Sequence, residues 1–273
     1  MAIPRMNYQC TEYEVDYLYL DVAKHLLYPV YSEQVGNTRE MMNVTLRLTD
    51  ITKNIVSVRD LSPSYLFGEL LWYFNGDNSL KFISQFSSFW NNISDDGETC
   101  NSAYGYLIKY AHGYDQLEKV IEILKDDPNS RRAKININYP NERVDWTKDE
   151  PCTMSLHFLI RQGKLHCTAI MRSNDIWFGL PYDIAFFTEL QKYIADKLGV
   201  GYGMYTHHAV SMHVYDHDIE KLKKIIADPI SKPIEFDREK FYRNKKKLFI
   251  IAKRGGKEAL MEALEQSGIY KEK

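Results

Sequence analysis

This chain of 273 residues has only four cysteines, no long apolar run and no large excess of either charge. Each of these features excludes a class of protein. The four cysteines lie far apart, with no C-x-x-C pair and no cysteine–histidine cluster at zinc spacing. We therefore expect reduced thiols in a cytoplasmic protein that holds no metal. No apolar run approaches the roughly 20 residues of a membrane span, and the N-terminus lacks the apolar core of a signal peptide.

The charges are nearly balanced, because 35 Lys and Arg residues face 37 Asp and Glu residues. A net charge of -2 gives no overall basic field, which excludes a general affinity for duplex nucleic acid but leaves room for local phosphate sites. No internal repeat, low-complexity segment or linker-like change of composition divides the sequence. We therefore predict a single domain over residues 1–273, a length that needs no disulfides for a stable core.

The hydrophobic pattern predicts a mixture of helices and strands. Apolar residues recur at steps of three and four over five segments, predicted as helices at residues 12–27, 65–74, 114–124, 180–198 and 257–266. Apolar and polar residues alternate over others, predicted as strands at 44–48, 133–137, 154–160, 165–171 and 204–214, with 55–58 as a partner of the first. Residues 161–164 are expected to form a hairpin turn. The predicted class is α/β (α+β).

Cys152 and Arg172 are predicted to lie at neighbouring ends of this hairpin. Cys152 follows a proline at the start of one strand, and Arg172 ends the partner strand. A lone cysteine is more often a packed core residue than a nucleophile, but an arginine beside a thiol lowers its pKa and raises the thiolate fraction. Arg172 with Ser173 also offers a planar cationic fork and a hydroxyl, which suit a phosphate group.

Two further groups of charged residues have two interpretations each. Arg131 and Arg132 stand at a helix-to-strand junction, where such a pair alone usually indicates a solvated surface. Together with Arg172 they favour a small phosphorylated ligand. Glu69 lies inside the apolar helix YLFGELLWYF, either at an exposed position or as a general acid/base with a tuned pKa.

An ordered set of motifs over residues 36–215 resembles the thymidylate synthase superfamily. The motifs are GELLWYFNGD, FWNN, YGY, DPNSRR, PCT, MRSNDIWFGLPYD and HVYDH. A lone Pro-Cys pair is weakly specific, whereas the whole set in this order is strongly specific. The resemblance implies a thymidylate synthase-like fold, with a large mixed β-sheet flanked by helices. It also implies a homodimer formed through one face of the sheet.

Asp183 departs from the family's pattern, since thymidylate synthases carry Asn at the end of their Gly-Leu-Pro-x-Asn turn. Uracil presents an N3–H donor and an O4 acceptor, which an amide can match. Cytosine presents an N3 acceptor and an N4 amino donor, which suit a carboxylate that accepts from N4 and shares a proton with N3. A mismatch would cost about 1–3 kcal/mol, so we expect Asp183 to favour cytosine.

Other departures point the same way. Thr153, Met171 and Ser211 stand where the synthases have His, Gln and Asp, and the set looks closest to the deoxycytidylate (dCMP) hydroxymethylases of bacterial viruses. The resemblance therefore implies one-carbon transfer from 5,10-methylenetetrahydrofolate, as cosubstrate, to C5 of dCMP. Water would then add to give 5-hydroxymethyl-dCMP, where a synthase transfers a hydride.

The resemblance implies a role for each residue that matches a family motif. The catalytic set is Cys152 as nucleophile, Glu69 as the acid/base that organises water, Tyr104 for removal of the C5 proton, and Asp183. The substrate-binding set is Arg39, Arg131, Arg132, Arg172, Ser173, Asp183, His213 and Tyr215, in which Arg131 and Arg132 reach the phosphate of the neighbouring subunit. The folate-binding set is Trp90, Asp175 and Gly179. No family role can be given to His207 and His208, which we interpret as packed or exposed histidines.

Three functions stay open on the sequence alone. The first is a deoxycytidylate 5-hydroxymethyltransferase. The second is a thymidylate synthase, or a hydroxymethylase that acts on dUMP or CMP. The third is a catalytically silent nucleotide- or RNA-binding relative that uses the basic residues 245–247. The intact set of Cys152, Glu69, Tyr104 and Arg172 argues against the third, because a binding protein needs no thiol at the base.

Overall fold

The structure is a computed structural model that describes residues 8–138 and 147–271. These residues form two compact units, each built from several separate segments of the chain. The sheet unit contains the described residues 8–60, 116–136 and 152–233, and the helical unit contains 61–115, 137–138, 147–151 and 234–271. The single domain predicted over 1–273 stays a prediction.

All the strands of the described chain belong to one mixed sheet in the sheet unit. They are β1 (Tyr8–Glu12), β2 (Glu33–Val35), β3 (Thr38–Leu48), β4 (Lys134–Asn136), β5 (Thr153–Arg161), β6 (Lys164–Met171), β7 (Asn174–Asp175) and β8 (Gly201–Tyr215). The order is β1-β3-β8-β6-β5-β4, with β2 beside β3 and β7 beside β8. β1 is parallel to β3, and β8 is parallel to both β6 and β7, whereas the other pairs are antiparallel.

The helices of the described chain are divided between the two units. They are α1 (Val15–Leu27), α2 (Pro63–Asn75), α3 (Leu80–Ile83), α4 (Trp90–Ile93), α5 (Tyr104–Lys109), α6 (Gln116–Asp126), α7 (Leu180–Leu198), α8 (Ile219–Ala227) and α9 (Arg238–Gln266). α1, α6 and α7 flank the sheet, with α1 packed on β3, α6 on β4 and α7 on β6 and β8, whereas α8 packs on α1. No helix of the described residues is long and apolar enough to cross a membrane.

The β5–β6 hairpin was predicted from the sequence and is confirmed. Arg161 pairs with Lys164 across a two-residue turn, and both turn residues, Gln162 and Gly163, have positive φ. Positive φ at both positions matches the right-handed twist of the strands, so the turn fixes the register from Arg161–Lys164 to Ser155–Ile170. A β-bulge between Thr153 and Ser155 then shifts the register by one residue and sets Thr153 opposite Met171, so that the residues flanking this pair also meet.

The helix predicted at residues 180–198 is confirmed as α7, with bounds Leu180–Leu198. Pro181 occupies its first turn, where a missing N–H has no cost, and Gly199 ends it in the left-handed conformation. Asp183 also lies in the first turn of α7. The carboxyl is therefore held by the most firmly packed helix of the sheet unit, whose inner face is buried along its length.

The helical unit is organised around α2 and α9. The helix predicted at 65–74 is confirmed as α2: the Ser62 hydroxyl accepts the Tyr65 N–H at its start, and Gly76 ends it in the left-handed conformation. Gly105, on α5, approaches α2 so closely that an added Cβ would lie 1.9 Å from the Tyr73 carbonyl oxygen. Only glycine fits there, because any side chain would push the two helices apart.

Three predictions of secondary structure need correction. Residues 55–58 form no strand, because the backbone N–H and hydroxyl of Ser57 are bonded to the Asp16 carboxylate instead of a neighbouring strand. The helix predicted from residue 12 begins at Val15, since Glu12 still belongs to β1. The helix predicted at 257–266 is the second half of α9, which begins at Arg238 and is interrupted at Gly256.

Candidate active site

Cys152 is the one cysteine of the four that is not buried. Burial raises the thiol pKa of Cys10 and of Cys100 to about 12, and it raises that of Cys167 as well, so these three thiols stay protonated and inert. Cys152 lies directly before β5, and its carbonyl oxygen accepts the backbone N–H of Arg172 at 2.9 Å. The Arg172 guanidinium donates to the Cys152 Sγ at 3.8 Å. The predicted pairing of thiol and arginine is present, and the cation stabilises a thiolate.

Ser173, which follows Arg172 in the chain, lies near His213 of β8. The Ser173 hydroxyl lies 3.5 Å from His213 Nδ1. β7 runs parallel to β8 and pairs Asp175 with His213. Burial lowers the pKa of His213 although the carboxylates of Asp175 and Glu40 oppose the shift, so the ring is neutral at pH 7. A neutral imidazole can donate or accept one hydrogen bond with a sugar hydroxyl.

Tyr215 completes this group two residues further along β8. Its ring meets that of His213 edge-on, with centroids 5.3 Å apart. Burial raises the pKa of the Tyr215 hydroxyl, with smaller contributions from Asp175 and Cys152, so the phenol remains a hydrogen-bond donor. The structure therefore places His213 and Tyr215 of β8 in the same unit as the hairpin ends that carry Cys152, Arg172 and Ser173.

Asp175 and the residues after it are suited to a flat heterocyclic ligand. The Asp175 carboxylate accepts the backbone N–H groups of Trp177, at 2.9 Å, and Phe178, at 3.3 Å. Burial raises its pKa. The neighbouring Phe178 ring is 56% exposed, which leaves an aromatic face on which a ring can stack. A carboxyl beside an exposed aromatic ring fits the N–H groups and flat face of a pterin, so these residues could hold a folate.

Asp183 is joined to Asn174 by a hydrogen bond across the start of α7. The Asn174 amide nitrogen donates to Asp183 Oδ2 at 2.7 Å. Burial raises the pKa of Asp183 to about 7, and the bond from Asn174 opposes that shift. Gly179, predicted to contact folate, packs on this pair, since an added Cβ would lie 2.9 Å from Asn174 Nδ2. Asp183 as a whole residue is half-buried.

The three predicted arginines outside this group have different surroundings. Arg131 and Arg132 are exposed residues just before β4, and the Arg132 backbone N–H donates to the Ser130 hydroxyl at 3.2 Å. Arg39, on β3, pairs with Val214 on β8 and donates to the Leu27 carbonyl oxygen at 3.3 Å. Its Nε is buried without a hydrogen-bond partner, so a ligand or a change of side-chain conformation would be needed to satisfy it.

In the helical unit, Glu69 and Trp90 are linked through Tyr65. The Tyr65 hydroxyl donates to Glu69 Oε1 at 2.7 Å and accepts the Trp90 indole N–H at 3.2 Å. Glu69 is buried, not exposed, which favours the acid/base interpretation of the two that the sequence allowed. Tyr65 was missed at the sequence level, although its position four residues before Glu69 on one helix predicts the contact.

Tyr104 is fixed in the helical unit from two sides. Its ring stacks on Tyr73, with centroids 5.3 Å apart and planes 21° apart. Two residues earlier, the backbone N–H of Ser102 donates to Asp149 at 3.1 Å, and its hydroxyl donates to the same carboxyl. Asp149 therefore ties residues 147–151 to the loop that carries Tyr104, within the helical unit.

His207 and His208, interpreted from the sequence as packed or exposed histidines, both have hydrogen-bond partners that the sequence did not predict. His207 is fully buried and bonds to Tyr205 and Asn174, whereas His208 is half-buried and bonds to the Thr45 hydroxyl at 2.9 Å. Among residues 8–138 and 147–271, no group of three or more His, Cys, Asp and Glu side chains could hold a metal ion.

Comparison with known proteins finds a matching family profile and related sequences. The profile of the family described as "Thymidylate synthase" matches residues 19–250. A Methanocaldococcus jannaschii protein described as "Putative thymidylate synthase" is 44% identical over 118 residues, which are 41% of this chain and 53% of the relative. The "Deoxyuridylate hydroxymethyltransferase" of Pseudomonas phage M6 is 31% identical over 179 residues, which are 64% of this chain and 51% of the relative.

A solved structure shares the fold. Thermostable thymidylate synthase A from Bacillus subtilis superposes with a TM-score of 0.70 at 22% identity, covering 82% of this chain and 87% of that one. The predicted fold, a large mixed sheet flanked by helices, is therefore confirmed. The chain spans about half the length of the curated relatives it matches.

Proposed function

This chain belongs to the thymidylate synthase family, and we propose that within it the protein is a deoxycytidylate 5-hydroxymethyltransferase. The observation that carries the proposal is Asp183, a half-buried residue whose carboxyl pKa is raised by burial to about 7. A neutral carboxylic acid presents one donor and one acceptor to the N3 and N4 edge of cytosine. It can also give its proton to N3 when negative charge develops on the ring.

The thiol of Cys152 begins the reaction. As a thiolate stabilised by Arg172, its sulfur forms a bond to C6 of the pyrimidine, and the electron pair of the C5–C6 double bond moves through C4 towards N3. Asp183 supplies the proton that N3 takes up. The ring is then an enamine whose C5 is nucleophilic, so one difficult substitution is divided into two easier steps.

The other residues prepare and complete the transfer to C5. When bound, 5,10-methylenetetrahydrofolate supplies a one-carbon unit at the oxidation level of formaldehyde. After C5 bonds to this carbon, Tyr104 removes the C5 proton as the carbon–nitrogen bond to tetrahydrofolate breaks, and the buried Glu69 orients water for addition to the exocyclic methylene that results. The sulfur–C6 bond then breaks, which restores the C5–C6 double bond and frees Cys152. The overall reaction balances as dCMP, methylenetetrahydrofolate and water giving 5-hydroxymethyl-dCMP and tetrahydrofolate. No hydride moves, so no dihydrofolate forms.

Substrate and folate are held by two further groups of side chains. Arg172 and Ser173 bind the phosphate, and Arg39 approaches it from β3. The sugar 3′-hydroxyl is bound by the neutral His213 and the phenol of Tyr215. Folate is held by Asp175, Trp90 and Gly179.

The functional form is a homodimer in which Arg131 and Arg132 complete the phosphate site of the neighbouring subunit. Both are exposed in the single chain, as donors to a second subunit must be. The half-exposed face of the sheet offers the surface through which two copies would meet.

A deoxyuridylate hydroxymethyltransferase is the second candidate, and the phage relative of that description favours it. It would share every residue above except the base contact, since uracil presents an acceptor where cytosine presents an amino group. Thymidylate synthase and a hydroxymethylase acting on CMP are further outcomes that the same experiment separates.

The test is to incubate the protein with dCMP, dUMP or CMP, each with methylenetetrahydrofolate, and to weigh the nucleotide products by mass spectrometry. We expect dCMP to gain CH₂O with no dihydrofolate formed, and Cys152→Ser to give no product while remaining folded. A CH₂O gain on dUMP alone would favour the second candidate. A methyl product on dUMP, with dihydrofolate formed, would identify a synthase instead.

A further inference from the structure

A chain of buried hydrogen bonds leads from the core of the sheet unit to Asp183. The Tyr205 hydroxyl bonds to His207 Nδ1 at 2.8 Å, and His207 Nε2 bonds to Asn174 Oδ1 at 3.1 Å. The Asn174 amide nitrogen then donates to Asp183 Oδ2 at 2.7 Å. Tyr205, His207 and Asn174 are all at most 2% exposed, so water does not compete for these bonds. None of the three had been given a role from the sequence.

We propose that Tyr205, His207 and Asn174, here named the selectivity relay, fix which oxygen of Asp183 acts as the acceptor and thereby make the base site selective for one pyrimidine. The three are positioning residues, because they act on the nucleotide only through Asp183. The inference rests on the proposed function, in which Asp183 reads the base.

The direction of each hydrogen bond follows from the one before it. Burial lowers the pKa of His207 to about 3, so its ring is neutral and carries a single N–H. Burial also raises the pKa of Tyr205, so its hydroxyl keeps its proton and can donate to Nδ1. The N–H of His207 is then on Nε2, from where it donates to the Asn174 oxygen. The amide of Asn174 must consequently turn its nitrogen, and not its oxygen, towards Asp183.

This order of hydrogen bonds restricts the proton of the neutral Asp183 carboxyl to one of its two oxygens. Because Oδ2 already accepts the Asn174 N–H, the neutral acid carries its proton on Oδ1. Asp183 then presents a donor and an acceptor in one fixed sequence along its edge. Cytosine and uracil present donor and acceptor in opposite sequences, so a fixed carboxyl matches one base and opposes the other. A carboxyl that could carry its proton on either oxygen would accept both.

Gly179 provides the space in which this geometry exists. A Cβ at this position would lie 2.9 Å from Asn174 Nδ2 and 3.3 Å from Asp183 Oδ2. Its φ of -84° is open to any residue, so backbone conformation does not explain the glycine. What requires it is the close approach of the Asn174–Asp183 hydrogen bond together with the Asp175 carbonyl oxygen, which would lie 3.0 Å from the added Cβ. A side chain here would displace one of the two partners.

The first test reads the relay without any substrate. ¹⁵N NMR of the imidazole nitrogens in the wild-type protein is expected to show His207 as the neutral Nε2–H tautomer throughout pH 5–8. The reverse order of hydrogen bonds requires the Nδ1–H tautomer, with the Asp183 proton on Oδ2. Observation of that tautomer, or of a charged ring, would overturn the relay.

The second test measures selectivity in the folded protein. The ratio of dissociation constants for dCMP and dUMP is measured by calorimetry, without folate, for wild type, His207→Leu and His207→Gln. His207→Leu leaves the Asn174 amide free to rotate, and the ratio is expected to move towards one by about ten-fold, the size of one misplaced buried hydrogen bond. Glutamine retains an N–H donor for Asn174 and is expected to restore most of the preference. His25→Leu, a packed histidine on α1, controls for general loss of packing.

The results separate the relay from the proposed function. An unchanged ratio in His207→Leu, with discrimination intact in the wild type, removes the relay and leaves the proposed function standing. A wild type that binds neither nucleotide removes the proposed function and the selectivity claim together. The tautomer measurement then still decides the order of the hydrogen bonds.

Discussion

Asp183 holds its carboxyl in surroundings that favour the neutral acid, because burial raises its pKa to about 7 from an ordinary value of 3.8. Cys152, by contrast, lies half-buried beside the guanidinium of Arg172, which favours the charged thiolate. Addition to a pyrimidine requires a nucleophile and an acid that can give a proton to the ring. Two predictions follow from the residue at position 183.

Asp183→Asn is expected to lower kcat/KM for dCMP by about 10²-fold or more, because an amide cannot give a proton to N3. Turnover of dUMP should rise in relative terms, since an amide N–H can donate to O4. Steady-state kinetics with both nucleotides measure the change, with Asp196→Asn, at the far end of α7, as the control. An unchanged preference would contradict the account of base selection.

The pH dependence of the wild type should carry the signature of this acid. Turnover of dCMP requires the neutral form and is expected to fall as pH rises through about 7. Stability follows the same group: the folded state holds the proton more tightly than the unfolded state between pH 3.8 and about 7, so stability decreases with pH across that window. The Asp183→Asn variant lacks this pH-dependent contribution to stability.

Chemical denaturation of the two proteins checks the sign. Asp183→Asn should gain stability relative to wild type between pH 4 and pH 8. A constant difference across that range would mean that the Asp183 pKa is unperturbed in the folded protein.

At the scale of elements, α7 carries a buried ion pair as well as the base contact. Glu189 and Lys192, one turn apart, are both buried and bonded to each other, and Asn54 accepts from Lys192 at 3.1 Å and donates to Glu189 at 3.2 Å. Burying two charges is costly, and the hydrogen bonds of Asn54 offset part of that cost. The group ties the loop around Asn54 to the helix that positions Asp183.

Lys192→Met is expected to lower the free energy of unfolding by about 3–5 kcal/mol, because it leaves the Glu189 carboxylate buried without its cation. Adding Glu189→Leu should recover much of the loss, since no unpaired charge then remains. Urea denaturation of Lys192→Met, Glu189→Leu and the double variant measures both effects. A double variant as unstable as the sum of its single changes would contradict a coupled pair.

Elements with strong local signals could be predicted from the sequence. The β5–β6 hairpin has its Gln-Gly turn, α7 its N-terminal proline and C-terminal glycine, and both were located correctly. β2 and β7 were missed, because strands of three and two residues are too short for a periodic pattern. Residues 55–58 alternate like a strand, yet the Asp16 carboxylate competes for the backbone N–H of Ser57.

In the candidate site, too, the sequence predicts features that depend on local signals and does not predict those that depend on tertiary packing. Cys152 and Arg172 could be placed near each other from the sequence, because they lie at the neighbouring ends of one hairpin, but the β-bulge between Thr153 and Ser155 that brings them opposite each other could not be predicted. The bond between Asn174 and Asp183 could not be predicted, since β7 and α7 meet only through tertiary packing. His207 depends equally on the parallel pairing of β7 with β8, which no local pattern reports. The burial of Glu69 likewise depends on packing that an amphipathic pattern does not specify.

At the scale of the whole molecule, one face of the sheet carries half-exposed side chains between the buried ones. The row Thr45, His208, Ile170 and Ser155 crosses four neighbouring strands in register. Ile170 on this face exposes apolar surface to water unless a partner covers it. A second copy of the chain is the partner that we propose.

Subunit complementation tests a dimer with shared sites. Cys152→Ser and the double variant Arg131→Ala, Arg132→Ala should each be inactive. Mixed after subunit exchange, they should regain about a quarter of wild-type activity, since half of the dimers then contain one intact site. Light scattering should show a dimer for wild type and a monomer for Ile170→Glu. A monomeric wild type with full activity would contradict the proposal.

The central claim is a bond between the Cys152 sulfur and a pyrimidine selected by Asp183. 5-Fluoro-dCMP tests it most directly, because fluorine at C5 cannot leave as a cation and the adduct stops before the sulfur is released. Intact-protein mass spectrometry with methylenetetrahydrofolate present is expected to show one nucleotide and one folate bound per chain, and peptide mapping to locate them on Cys152. An adduct with 5-fluoro-dUMP but none with 5-fluoro-dCMP, or one attached to another cysteine, would contradict the account.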